Sequence, residues 1–340
     1  MISSSLATTR ILTLEGAFRR FAATYVDLPS VQVQTARSSR DFLIQALSGM
    51  RDPGHVPRLT GRVYPFGSFA RRTKIRPLDD IDLLVELDGN GLALPWSFFG
   101  GPSRLQVNRS VWPAAFITPD GHLNSTVVVN ALGRYLSRIP QYQATPRARN
   151  GQALVLRPVR HPWSFDLVPA FAVKDRQGRI EHYLIPDGKG GWMKTDPRQD
   201  ALLTRQVSQK LNGQLALTRL VKYWNRRPTQ PRLGSYHVEA IMAEVLGGQV
   251  FQPEHTAEML HYAFAGLASR VTRPFPDPKR LGGPIDTSLT WQQRQVVSRA
   301  ATLAATALRA ASQTYTSSPR EALIHIRRVF GANFPAWQPR

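Results

Sequence analysis

The sequence predicts an α+β protein with a mixed-sheet lobe over residues 1–198 and an all-helical lobe over 199–340. Three observations support this. Short apolar runs with strand character recur through the first half, interrupted by a helical segment. After about residue 198 the apolar spacing becomes i, i+3, i+4, i+7. One of the strand candidates, Asp79-Asp80-Ile81-Asp82-Leu83-Leu84-Val85-Glu86-Leu87, carries acids on an otherwise apolar run.

In chain order, residues from about 12 to 48 read as helical, with Ile11, Leu12, Leu14, Phe18, Phe21 and Ala22 and then Phe42, Leu43 and Leu47 near helical spacing. Gly54 and Pro57 break the region. Strand candidates follow at about 59–65, 81–87, 153–157, 164–171 and 180–185. Leu123 to Arg138 reads as a helix crossing the sheet. In the second half, Leu217, Leu220, Val221 and Trp224 define one helix face, and further helices are expected near 235–247, 255–270 and 290–313. The last helix has Ser318 as cap, Pro319 in the first turn, Glu321 three residues after the cap and Gly331 as stop. A cleft between the two lobes is the expected site.

The chain has 340 residues, 42% of them hydrophobic, enough for a large core. No apolar run reaches the length of a membrane span, and Met1-Ile2-Ser3-Ser4-Ser5 lacks a secretory pattern. There is no cysteine, which excludes disulfides and thiolate zinc sites and fits a cytoplasmic protein. The 44 basic against 23 acidic residues give a net charge of +21. Such a field attracts polyanions, nucleotides and nucleic acid among them.

Asp80 and Asp82 fall on one face of their strand, about 6.5 Å apart at Cα, while Ile81 and Leu83 face a core. Like charges this close call for a cation, and Mg²⁺ suits oxygen ligands and phosphate chemistry. Asp79 is expected on the opposite face, in a supporting or structural role. Gly67-Ser68, twelve residues upstream, follows a strand candidate at a turn, where Gly lets backbone approach a phosphate and Ser hydrogen-bonds it. Asp166, a lone acid in Trp163-Ser164-Phe165-Asp166-Leu167-Val168-Pro169-Ala170-Phe171, is the candidate third ligand. A buried carboxylate needs a cation partner, and the alternative is a pair with Arg157 or Arg160. Two Mg²⁺ ions (or Mn²⁺) on these acids would activate a hydroxyl and stabilise leaving pyrophosphate, with Asp166 taking the proton. The glycine-rich run Pro186 to Gly191 is expected to be a flexible loop, and Thr195 and Asp196 to cap a helix starting near Pro197.

The Gly-Ser turn, the acid-x-Asp pair and a strand-borne third Asp resemble the polymerase-β-like nucleotidyltransferases. Finer features are similar to one branch, the cGAS/DncV-like nucleotidyltransferases of bacterial anti-phage signalling. They are Thr73-Lys74-Ile75 before Pro77-Leu78-Asp79-Asp80-Ile81-Asp82, Asp166-Leu167-Val168-Pro169-Ala170, Ile185-Pro186-Asp187, Trp192 and Thr195-Asp196-Pro197. Lys222-Tyr223-Trp224-Asn225, Ser235-Tyr236-His237 and Gly331 with Phe334-Pro335 continue the likeness, which runs from about residue 60 to the end. The resemblance implies that Ser68 and Lys222 meet the donor triphosphate, Ser235 adds a hydroxyl and Tyr236 stacks on the base. It also implies ribonucleoside triphosphate substrates, a cyclic product and a downstream effector that senses it. An activating nucleic acid is a further partner suggested by the charge, though the animal relative's zinc-thiolate element cannot form without cysteine. The rival readings are a transferase making a linear product, such as an RNA-end or oligoadenylate polymerase, and a nucleic-acid sensor with an inactive lobe. Retention of Asp80, Asp82 and Asp166 argues against the sensor.

Overall fold

The computed structural model describes residues 13–50, 56–95, 103–200, 202, 213–227, 232–247, 249 and 255–337. Ile11, Leu12, Gly54 and the terminal Gln338-Pro339-Arg340 lie outside the described residues. The chain packs as two compact units. One comprises Met1–Leu28, Leu203–Pro276 and Pro284–Arg340, the other Pro29–Leu202 with Asp277–Gly283.

The sheet unit contains β1 (Leu59–Phe66), β2 (Asp80–Leu87), a small pair β3 (Leu92–Ala93) and β4 (Gln106–Val107), β5 (Arg147–Asn150), β6 (Ala153–Leu156), β7 (Ser164–Lys174), β8 (Ile180–Pro186) and β9 (Trp192–Thr195). The main sheet runs β1-β2-β7-β6-β5, with β8 joining β7 to β9. β2 and β7 are parallel and the other pairings of this sheet antiparallel, so the sheet is mixed as expected. β2 is flanked on both sides, and everything from Leu83 to Leu87 is buried, which explains its nearly unbroken apolar run. β5 has the sequence Arg-Ala-Arg-Asn and lies at the sheet edge; its polar, largely exposed residues gave no strand signal. The crossing helix expected over 123–138 is two short helices, Ser125–Ala131 and Gly133–Leu136, with Asn124 capping the first through a bond from the Thr126 amide. Asp196 caps as expected, its Oδ1 accepting from the Arg198 amide at 3.1 Å.

The stretch of about 12–48 that reads as helical contains two helices, Leu14–Phe21 and Ser30–Ser48. A wider π turn, Ala22–Val26, follows the first. Pro29 then enforces the break, because the residue before a proline is pushed out of helical conformation and Pro29 itself is extended, with ψ 138°. The first of these helices also belongs elsewhere than predicted. Phe18 and Phe21 pack into the helical unit, with Phe21 5.1 Å from the Tyr223 ring, 5.4 Å from Phe330 and 5.0 Å from Phe334. The predicted first lobe of 1–198 is corrected accordingly.

In the helical unit, Gln214–Asn225 buries Leu217, Leu220, Val221 and Trp224 as the spacing predicts. Helices Ser235–Leu246, Thr256–Arg270, Trp291–Thr314 and Pro319–Phe330 follow. Pro319 opens the last helix and Gly331, at φ 87°, ends it, but the Ser318 side chain makes no capping bond. A full capping box occurs instead at Thr290 and Gln293. Among the described residues no helix is long and apolar enough to cross a membrane.

Phe21→Ala should cost the helical unit about 3–5 kcal/mol, the usual cost of emptying a buried aromatic site. Chemical denaturation followed by tryptophan fluorescence measures it. An unchanged midpoint would show that the N-terminal helix contributes nothing to this unit.

Candidate active site

β1 ends at Phe66 and the chain turns at Gly67, whose φ is +72°. A Cβ at Gly67 would lie 1.7 Å from Asp82 Oδ2. Glycine is therefore required twice, for the left-handed backbone and for the approach of the Asp82 carboxylate. The Ser68 carbonyl then accepts from the Thr73 amide at 2.9 Å and the Lys74 amide at 3.1 Å. These bonds tie the Gly-Ser turn to the segment that leads into β2.

On β2, Asp80 and Asp82 are half-buried on one face while Ile81 and Leu83 are buried on the other, as alternation predicts. In the parallel ladder Asp82 is the partner of Asp166, one strand spacing away, about 4.8 Å. Ser164 Oγ donates to Asp166 Oδ1 at 3.3 Å. The alternative ion pair of Asp166 with Arg157 or Arg160 is not formed. Arg157 acts on it only as a more distant attraction. The structure thus brings Gly67, Ser68, Asp80, Asp82 and Asp166 to one region of the sheet unit.

Burial pushes the Asp82 carboxyl up to about 7, and the charges of Asp80 and Asp166 add to it, against a smaller pull from Lys74 and Arg71. Asp166 is raised too, by burial and then by Asp80. Lys74 is the counter-ion that sequence reasoning missed. Its side chain is 10% exposed, and its Nζ lies 2.6 Å from Asp80 Oδ1 and is also ion-paired with Asp79. Burial alone would lower its pKa, but hydrogen bonds to Asp79 and Asp80 and their charges outweigh that, and the net direction is up. Asp79 was expected to point away from the pair. It precedes the first paired residue of β2, so strand alternation does not govern it, and its carboxylate turns to Lys74.

Among the described residues no group of three or more His, Cys, Asp or Glu side chains is placed so that it could hold a metal ion as it stands. The donor set nevertheless fits a hard divalent cation. It offers three carboxylates on adjacent strands, with Asp82 and Asp166 raised by burial and then by neighbouring carboxylate charge, and Lys74 is the cation paired with Asp80.

Lys222, Ser235 and Tyr236 lie in the helical unit. Ser235 is the exposed first residue of its helix and Tyr236 is half-buried. Lys222 is only 6% exposed, and its Nζ is 2.6 Å from Glu239 Oε1. The expected phosphate cation is therefore engaged inside the unit. The missed signal was Glu239, an acid on the buried face of its helix that requires a cation. The glycine-rich run expected to be flexible is the β8–β9 turn, where Asp187 Oδ1 accepts from the Lys189 amide at 2.7 Å and the Gly191 amide at 2.9 Å.

Because the folded-state pKa of Asp82 is raised from 3.8 to about 7, the folded protein holds a proton that the unfolded chain has lost between those values. This group's contribution to stability therefore falls as pH rises through that window. Asp82→Asn, melted in EDTA, should gain melting temperature over wild type by a margin that widens from pH 5 to pH 8. A constant margin would contradict the electrostatic account.

No family model matches the chain. A curated relative, a probable cyclic nucleotide synthase of Bacillus cereus (strain VD146), is 32% identical over 333 residues, 96% of this chain and 99% of its own. Among solved structures, CdnC of E. coli MS115-1 with ATP matches with a TM-score of 0.71 at 19% identity, over 95% of this chain and 99% of that one. Vibrio cholerae DncV cyclic AMP-GMP synthase, in complex with the linear intermediate 5′ pppA(3′,5′)pG, matches with a TM-score of 0.61 at 11% identity, over 94% and 95%. The structural likenesses establish the polymerase-β-like fold, and the sequence relative extends over nearly the whole chain. With the Gly-Ser turn and three strand-borne aspartates in place, the chain belongs to the cGAS/DncV-like nucleotidyltransferases.

Proposed function

We propose that this nucleotidyltransferase is Mg²⁺-dependent and joins two or three ribonucleoside triphosphates into a cyclic di- or trinucleotide, releasing pyrophosphate, as a messenger in anti-phage signalling. The register Asp82 to Asp166, with Asp80 on the same face, carries the reading, because it supplies three acids from adjacent strands for nucleotidyl transfer. When bound there, two Mg²⁺ ions, or Mn²⁺ in their place, would lower the pKa of the attacking 3′- or 2′-hydroxyl and neutralise charge on the leaving pyrophosphate. Asp80, Asp82 and Asp166 would hold them, and Asp166 would receive the hydroxyl proton. The backbone at Gly67 and the hydroxyl of Ser68 grip the triphosphate. Ser235 adds a hydroxyl and Tyr236 a stacking face for the base. Lys222, which ion-pairs with Glu239 on the helix that carries Ser235 and Tyr236, supplies positive charge to the same phosphates.

The names of the relatives support the substrate class. CdnC is described with ATP, and DncV with a linear dinucleotide on the way to a ring. In this reading the enzyme works in the cytoplasm and its product acts through a separate cyclic-nucleotide-sensing effector. The net charge of +21 favours a polyanionic partner, which makes an activating nucleic acid part of the same proposal.

Incubation with labelled ATP, GTP, CTP and UTP, then phosphatase and mass spectrometry, tests the reading. A phosphatase-resistant product, missing from the Asp80→Asn/Asp82→Asn protein, is expected, since a ring has no terminal phosphate. A product that is linear only would favour a primer-dependent or oligonucleotide polymerase instead.

A further inference from the structure

Lys74 is nearly buried, and the transfer chemistry above assigns it nothing. Its amide donates to the Ser68 carbonyl at 3.1 Å, and its Nζ reaches Asp80 Oδ1 at 2.6 Å. One residue thus spans the link between the Gly-Ser turn and the first acid of β2. Asp79, outside the strand ladder and with its side chain 46% exposed, is ion-paired with the same ammonium. The same ammonium is therefore shared between an acid of the metal set and a neighbouring acid that is not in it.

We propose that Lys74 is a resident counter-cation, which neutralises Asp80 while no metal is bound and retreats onto Asp79 when a divalent cation takes that oxygen. It is a positioning residue that acts through Asp80, and the inference rests on the reading of Asp80, Asp82 and Asp166 as metal ligands. Two cations cannot share one carboxylate oxygen at contact distance without strong repulsion. Lys74 therefore stabilises the metal-free protein and sets metal affinity below what the bare carboxylates would give. Asp79 works the other way, because it offers the ammonium a place to go.

Mn²⁺ binding to the metal-free full chain, followed by electron paramagnetic resonance without nucleotide, tests this. Lys74→Gln should tighten the Mn²⁺ Kd by about tenfold, the size expected from removing a nearby positive charge, and lower the melting temperature in EDTA. Asp79→Asn should weaken Mn²⁺ binding, and by less in the Lys74→Gln background than in wild type. Equal Mn²⁺ affinity in wild type and Lys74→Gln would overturn the proposal, leaving Lys74 as a structural ion pair. If Lys74→Gln does not fold, Asp79→Asn decides alone, and unchanged affinity there overturns it. Wild-type protein that binds no Mn²⁺ would instead overturn the assignment of the three aspartates.

Discussion

Three carboxylates on two adjacent strands repel one another, and the sheet unit is built to hold them together despite it. The eight-residue parallel ladder between β2 and β7 fixes Asp82 beside Asp166. Burial of Ile81 and Leu83 on the opposite face locks the register, because a slip of one residue would turn those apolar side chains onto the acid face. Gly67 leaves room for the Asp82 carboxylate that no other residue would leave. Lys74 supplies positive charge where the acids meet. Burial, and then the charges of Asp80 and Asp166, still push the Asp82 carboxyl up to about 7 after these devices act. A site in this condition is unfavourable for the fold and well suited to capturing cations.

The acid face was legible because strand alternation is a local rule. Asp80, Ile81, Asp82 and Leu83 declare their faces from spacing alone, and Asp166 declares itself by being an acid in an apolar strand. The residues that escaped the sequence reading depend on contacts distant in the chain or on short irregular segments. Glu239 stands 17 positions from Lys222, so their pairing has no local signature. Phe18 and Phe21 reveal that a helix buries a face, but their partners Phe330 and Phe334 lie at the other end of the chain. Asp79 defeated the alternation rule by lying one residue before the ladder begins. Pro29, by contrast, was a visible break signal that the apolar spacing on either side concealed.

The helical unit illustrates a different constraint. Its core needs the N-terminal helix, so the first described residues of the chain and the last helix are packed in one aromatic cluster. The Lys222–Glu239 pair ties the helix of Leu217 and Trp224 to the one that Ser235 begins. A buried pair of this kind contributes little net stability against an apolar replacement, but loss of either partner leaves an uncompensated charge. Its presence at the start of the Ser235–Tyr236 segment is consistent with a need for orientation there.

The proposed two-ion site of Asp80, Asp82 and Asp166, from which Lys74 is displaced, has a direct test. Crystals soaked in Mn²⁺ with a non-hydrolysable nucleoside triphosphate, measured for anomalous scattering, test it most directly. The account predicts anomalous peaks between these three carboxylates, with Lys74 Nζ withdrawn from Asp80 toward Asp79. Bound nucleotide with no anomalous peak at these aspartates, or with Lys74 still seated on Asp80 beside an ion, would contradict it.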